Sequence, residues 1–316
     1  MEYSLRQVAK AMKAVQGLYG FLALVEYLKV TRVESWLGWV FSFSFGSIFW
    51  SLPFLERFLV VLSAFSFATA SIFILNQYFD RKEDQENSFK SKMLIASGKI
   101  KPRAALAFSF LLIILCLVLV ALVDVNLLSL FLVYLIFGTA YSAPPFRLKN
   151  IPVVDFVVSG IGAGFMPFLM GLELTHKLDF NTSSIVLGAL PLMLIHCGGH
   201  IIQAVGDYEV DRKMGVQTSA VRFGRRRSTI IAGLMFLLAC FLPFIYSASG
   251  FLSPTHLIIS FILFPLSIPL IKHYIGVVKD PSSDNVIDLQ KSATKYGLAG
   301  ITLMLGYVLL LKIVSF

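Results

Sequence analysis

FSFATASIFILNQYFDRKEDQENSFK, residues 65–90, begins with eleven residues that carry no charge and ends in an acidic ladder. Asn76, Asp80 and Asp84 recur at a spacing of four. Four residues advance an α-helix by slightly more than one turn, so the three side chains share one face and climb along it. Two carboxylates and an amide at the end of a greasy helix suit a hard divalent cation, which takes oxygen ligands. A solvated acidic helix end is the competing reading of this stretch alone. An EF-hand loop is excluded, because its glycine and its twelfth-position glutamate are missing.

The rest of the chain supplies the setting. Of 316 residues, 57% are hydrophobic and 14% charged, whereas a soluble domain carries roughly a quarter charged residues. The composition is that of a polytopic membrane protein. The net charge of +9 does not imply nucleic acid, because the basic residues gather in loops on one side of a membrane. Cys116, Cys197 and Cys240 fall inside apolar segments and suggest neither a disulfide framework nor a zinc cluster.

The expected fold is an all-α membrane protein with an N-terminal segment, 1–34, lying as an amphipathic helix at the membrane surface and without a cleavable signal peptide. A nine-helix transmembrane domain, 35–316, follows it. Spans are expected near 36–52, 58–78, 104–123, 127–143, 153–172, 184–203, 229–248, 256–275 and 295–314, each near the ~20 residues that cross the hydrocarbon. Pro167, Pro191, Pro243, Pro265 and Pro269 fall within spans and predict kinks. The loops after spans 2 and 6 carry seven and six Lys or Arg, and those after spans 3 and 7 carry none. This bias puts the N-terminus and the basic loops in the cytoplasm, and an odd span count puts the C-terminus outside. Spans 2 and 6 both end in an acidic motif, which suggests two four-helix pseudo-repeats facing each other across a central cavity with a cytoplasmic cap.

The second acidic motif lies in QAVGDYEVDRKMGVQTSAVRFG, residues 203–224, where Asp207 and Asp211 are again four apart. A carboxylate at membrane depth costs about 2.5–3.5 kcal/mol, so such residues face a polar cavity or a partner. Two pairs can therefore converge on one site. Four adjacent carboxylates repel one another, and divalent cations relieve that. Mg²⁺ commonly binds through one or two carboxylates plus substrate phosphates. Arg81, Lys82, Lys90, Lys92, Arg212 and Lys213 flank the motifs and fit a phosphate; Arg225, Arg226 and Arg227 read as topology determinants. In YSAPPFRLK, residues 141–149, the paired prolines end span 4, and Arg147 and Lys149 emerge on the same side as both acidic motifs. Tyr141 offers a ring face to a developing carbocation or, alternatively, sits in an interfacial aromatic belt.

These motifs resemble those of the UbiA superfamily of intramembrane prenyltransferases. NQYFD followed by RKED is similar to its asparagine-plus-spaced-aspartate motif, DYEVD to its second aspartate motif, and the trailing RKMGVQT to the end of that motif. YSAPPFRLK looks like its loop after the fourth helix and IASGKI like its S-G segment. The resemblance implies Mg²⁺-dependent transfer of a prenyl group from a prenyl diphosphate to a lipophilic acceptor within the lipid bilayer. It implies that Asp80, Asp84, Asp207 and Asp211 hold Mg²⁺ on the diphosphate, with Asp80 and Asp207 catalytic. Asn76 would orient the donor, and Arg147, Lys149 and Lys213 would neutralise the leaving group, with Arg32 of TRVESW a further candidate. Tyr141 would support the allylic cation. The acceptor classes it allows are a quinone precursor, a tetrapyrrole, a glyceryl phosphate lipid and a carotenoid.

The chain departs from the family pattern twice. Gln77 stands where many members have aspartate, and KSKML replaces an Arg-Pro segment, leaving Lys90 or Lys92 to substitute as point charges. Three further features stay open. His196 and His200, four apart, are interior hydrogen-bonded residues, metal ligands or a base near the acceptor. GIGAGF, residues 160–165, reads as tight helix packing, and FSFSFGSIF, residues 41–49, as lipid-facing or packing surface. The alternatives to a prenyltransferase are a membrane transporter or a cation- or phosphate-binding carrier with acidic repeat sites, and a Mg²⁺ transferase acting on nucleotide-activated alcohols.

Overall fold

The structure, a computed structural model, describes residues 25–49, 52–88, 90–175, 188–250 and 258–314. Most of the 1–34 segment, residues 1–24, lies outside the described residues, as do parts of the first, sixth and eighth expected spans. Every regular element described is helical. In chain order these are α1 (Leu37–Ser47), α2 (Leu55–Glu86), α3 (Pro102–Val123), α4 (Val125–Ser142), α5 (Val154–Leu172), α6 (Leu190–Met214), the short α7 (Ser219–Phe223), α8 (Arg225–Ala248), α9 (Ile258–Lys279) and α10 (Ser283–Val314). Among the described residues, α2, α3, α4, α5 and α8 are long and apolar enough to cross a membrane. Their outward faces are apolar, with Leu122 and Ile136 strongly exposed.

Helix α2 outlasts the expected span, which ends near residue 78, as the one-turn spacing of Asn76, Asp80 and Asp84 predicts. It runs on to Glu86, carrying the whole acidic ladder on regular helix. Loss of hydrophobicity ended the expected span, but the helix needs only its backbone hydrogen bonds and good helix formers such as Arg81, Lys82, Glu83, Gln85 and Glu86 to continue. Pro167 lies inside α5, just after its π-helical turn Ile161–Phe165, and Pro191 lies near the start of α6. Pro243, Pro265 and Pro269 lie inside α8 and α9.

The interior forms separate hydrophobic clusters. One joins α1 to α5 around Phe43, Phe65, Phe131, Tyr134 and Met170. Another joins the start of α5 to α6, α8, α9 and α10 around Phe156, Ile201, Val205, Val277 and Val286. In the first, Phe43 stacks on Phe65 with ring centroids 5.1 Å apart, so this part of the Phe-rich stretch is packing surface. Helices α1 and α5 touch through glycine. A Cβ on Gly46 would come within 2.1 Å of the Phe168 carbonyl oxygen, and one on Gly171 within 2.0 Å of the Phe43 carbonyl oxygen. Small residues permit this backbone approach.

Polar ties fix the segments around the helix ends. The buried Asp155 carboxylate accepts from the Ser219 backbone N–H at 2.7 Å and hydroxyl at 2.6 Å, joining the start of α5 to the start of α7. Gln77 is also buried. Its amide donates to the Val30 carbonyl at 2.8 Å and the Phe73 carbonyl at 3.1 Å. The Trp36 indole N–H donates to the Thr31 carbonyl at 2.8 Å. Between these two anchors Arg32 adopts a left-handed backbone conformation, φ 54°.

Candidate active site

Both acidic motifs border one cavity of about 190 Å³. Helix α2 supplies Asn76, Asp80, Glu83 and Asp84, with Asn87 at its C-terminal cap; α6 supplies His200, Gln203, Asp207 and Asp211. Arg32, Lys90, Lys149 and Thr218 enter from the connecting segments, and Tyr141 and Ser142 from the end of α4. Below them the walls turn apolar, with Trp39, Ile72, Phe73, Phe137, Gly138, Val158 and Gly162. The cavity therefore has a charged end and a greasy end.

Helical repetition explains the first wall. Asp80 and Asp84 follow Asn76 at one-turn intervals, and Glu83 and Asn87 lie three residues after each aspartate on the same side. The second wall depends on how α6 ends. Gly215, at φ 74°, breaks the helix, and Val216 N–H returns to the Asp211 carbonyl at 2.8 Å. Only glycine adopts that left-handed conformation without steric cost. The reversal brings Thr218 back to Asp211, where its hydroxyl donates to the carboxylate at 3.3 Å.

The first aspartate of each pair is held by a cation. Asp80 meets the Lys149 ammonium at 2.5 Å and Arg147 at 3.5 Å, and accepts from the Asn76 amide at 2.7 Å. Arg147 also pairs with Glu83, and Asn76 donates to the Ser142 hydroxyl at 3.0 Å. Asp207 meets the Lys90 ammonium at 2.6 Å and accepts from the Asn87 amide at 3.0 Å. The second aspartates, Asp84 and Asp211, form no ion pair among the described residues, though both border the cavity. Burial and the Asp207 charge push the Asp211 carboxyl up to about 7. Lys90 moves upward: burial lowers it, but the Asp207 charge and hydrogen bond, with Asp84 and Asp211 behind them, outweigh that effect.

Of the residues singled out in the sequence, Asn76, Asp80, Asp84, Asp207, Asp211, Tyr141, Lys149 and Arg32 border the cavity. Arg147 stands behind the wall, bound to Asp80 and Glu83. Lys213 is not brought in. Its side chain is 68% exposed and pairs with Glu86 at 2.6 Å. It lies two residues past Asp211, about 200° around the helix. Lys90, one of two candidates for the missing arginine, reaches the second motif directly. Glu83, Asn87, Ser142, Gln203 and Thr218 were not singled out; for Glu83 and Asn87 the three-residue spacing on the ladder face was the available signal. His200 takes one of its open roles, with its Nε2 2.9 Å from the Tyr141 hydroxyl. His196 lies against α1, its Nε2 3.4 Å from the Ser42 hydroxyl.

The donor set suits Mg²⁺. The aspartates and the asparagine carbonyls offer only oxygen, and among the described residues the Asp84 and Asp211 carboxylates form no ion pair. Among the described residues no group of three His, Cys, Asp or Glu side chains is close enough to enclose an ion. Mg²⁺ held by one or two carboxylates and completed by phosphate oxygens needs no such cage.

Known proteins share this architecture. A UbiA homolog from Archaeoglobus fulgidus, solved bound to DMAPP and Mg²⁺, superposes with a TM-score of 0.70 at 22% identity, covering 91% of this chain and 99% of that one. A solved digeranylgeranylglyceryl phosphate synthase gives 0.62 at 23% identity, covering 90% and 98%. By sequence, digeranylgeranylglyceryl phosphate synthase of Methanothrix thermoacetophila is 28% identical over 186 residues, 59% of this chain and 66% of that protein. Lycopene elongase/hydratase of Halobacterium salinarum is 27% identical over 186 residues, 57% and 63%. The chain thus spans just under two-thirds of the length of these two relatives. 4-Hydroxybenzoate octaprenyltransferase of Aeromonas salmonicida is 26% identical over 226 residues, 67% and 75%. The sequence pattern of the UbiA prenyltransferase family matches residues 36–286, and with that match over most of its length the chain belongs to this family.

Proposed function

We propose that the protein transfers a prenyl group from a prenyl diphosphate to a lipophilic acceptor inside the bilayer, with Mg²⁺ as cofactor. The observation that carries this reading is the convergence of Asp80 and Asp84 with Asp207 and Asp211 on one cavity whose far end is apolar. The diphosphate lies at the charged end and the isoprenoid tail along the greasy walls. Mg²⁺, when bound by the aspartates, supplies Lewis-acid neutralisation of diphosphate oxygens.

Lys149, Lys90 and Arg32 stabilise the negative charge that grows on pyrophosphate as the allylic C–O bond breaks. Lys149 and Lys90 are already positioned by Asp80 and Asp207. Asn76, anchored between Asp80 and Ser142, orients the same end of the donor. Arg147 acts from behind, holding Asp80 and Glu83. The Tyr141 ring, fixed through its hydroxyl to His200, faces the carbon left electron-poor, as an aromatic face favours a cation. The electron-rich acceptor forms its bond to that carbon and releases a proton.

The same reading includes nine spans in the domain 35–316, two four-helix pseudo-repeats, and the N-terminus and active-site loops in the cytoplasm with the C-terminus outside. The concentration of Lys and Arg in alternate loops supports that orientation. The test is incubation of purified protein with radiolabelled prenyl diphosphate, Mg²⁺ and acceptors from the four classes, followed by chromatography of the lipid extract. A labelled adduct that disappears in Asp80→Ala and Asp207→Ala supports the reading. Labelled donor recovered unchanged with every acceptor, by a protein that binds no donor, contradicts it.

A further inference from the structure

Three glycines occupy alternate positions in α5: Gly160, Gly162 and Gly164. None has a positive φ, so none is there to bend the backbone. Glycine disfavours a helix relative to alanine, so the surroundings of each are informative. A Cβ on Gly160 would stand 2.2 Å from Cys197 Sγ and 2.8 Å from the Met193 carbonyl oxygen, and one on Gly164 would stand 2.6 Å from the Leu192 backbone. Both are required for α5 to approach α6. Gly162 is different: among the described residues, a Cβ there meets nothing within 4 Å.

Helix geometry gives the cause. Residue 162 is two positions from both 160 and 164, roughly half a turn around the axis, so it faces away from the contact with α6. It borders the cavity with Val158 and Ser159, which lie four and three residues before it on the same side. Ile72 of α2, and Phe137 and Gly138 of α4, also line the cavity's apolar part. The surrounding turn, Ile161–Phe165, is π-helical, a local widening common at functional sites. The tight-packing reading of GIGAGF thus accounts for two of its glycines and not for the middle one.

We infer that Gly162 is a specificity-determining position: its missing side chain leaves room for the donor's prenyl chain beyond the first isoprene unit, so residue 162 limits donor length. This rests on the prenyl diphosphate reading above. Gly162 lies outside the charged end of the cavity, so a side chain placed there leaves the diphosphate contacts intact.

The test measures binding of dimethylallyl, geranyl and geranylgeranyl diphosphate, with Mg²⁺ and without acceptor, to wild type, Gly162→Ala and Gly162→Leu in detergent. Wild type is expected to bind all three. Gly162→Leu should keep dimethylallyl diphosphate affinity within about twofold and lose geranylgeranyl diphosphate affinity by about tenfold or more, because each methylene excluded from an apolar wall forfeits its transfer energy. Gly162→Ala should shift in the same order by a smaller factor, and it decides the matter if the leucine variant does not fold. Equal affinities at every length in a folded variant, equal loss at every length, or a wild type restricted to dimethylallyl diphosphate would overturn the inference. A wild type that binds none of the three removes the prenyl diphosphate reading itself.

Discussion

Replacing Gln77 tests why this chain departs from its family's acidic pattern. Gln77 is 2% exposed, and its amide donates to the Val30 and Phe73 carbonyls. Gln77→Leu keeps the volume and removes both donors. The Phe73 carbonyl retains its helical partner, but the Val30 carbonyl, on a residue 1% exposed, is left without the amide. A hydrogen bond contributes roughly 0.5–1.5 kcal/mol and an unsatisfied buried carbonyl costs roughly 1–3 kcal/mol, so the loss is about 2 kcal/mol. For a chain of this size that lowers Tm by roughly 5 °C. The protein carries its own reporter: Cys116 and Cys197 are buried and Cys240 is exposed, so a thiol-reactive dye gives a baseline from Cys240 and a melting signal from the other two. Donor affinity should also fall, by about tenfold, as Arg32 loses its anchor beside the cavity. Gln77→Asp should be at least as damaging, because it sets a carboxylate against two carbonyls with no donor between them. A Gln77→Asp protein that melts with wild type and binds donor more tightly would refute this reasoning and place position 77 in the metal site.

Two further predictions follow from the charged end. Asp211 has a carboxyl raised to about 7 in the donor-free protein, so its neutral form persists to higher pH than an ordinary aspartate's, and a bound cation needs the ionised form. Mg²⁺-dependent donor affinity should therefore rise between pH 6 and 8 with protons released near pH 7, and Asp211→Asn should flatten the rise; calorimetry in two buffers of different ionisation heat reads the protons, and a flat profile in wild type counts against the assignment. Lys149→Ala should weaken diphosphate binding by about tenfold or more, the scale of one charge-assisted contact, whereas Lys213→Ala should leave it unchanged because that ammonium is solvent-exposed; equal effects of the two in a titration would show that bulk charge, not placement, governs affinity.

The acidic ladder, the DYEVD pair and the helical class were legible because they depend on residues one turn apart. Lys213 was misjudged by adjacency in sequence: two positions past Asp211 is the far side of the helix, which the 3.6-residue period itself would have shown. Lys90 could not be separated from Lys92 without the turn that follows α2, and it is this turn that carries Lys90 across to Asp207. Gln77 read as a missing ligand because its partner, Val30, lies 47 residues earlier in the chain. Its buried position came from packing between the N-terminal segment and α2, which local periodicity does not encode. The continuation of α2 through the ladder was legible in the four-residue spacing, although hydropathy, which measures where a membrane crossing ends, stops near residue 78.

The central claim is that two distant aspartate pairs hold one diphosphate. Its most direct test is a double-mutant cycle on Mg²⁺-dependent donor binding with Asp84→Asn, Asp211→Asn and both together. If the pairs share a ligand, each single variant should lose about tenfold or more, and the double variant should lose clearly less than the product of the two, since contacting groups do not add. Losses that multiply independently, or single variants that bind donor as wild type does, would contradict it.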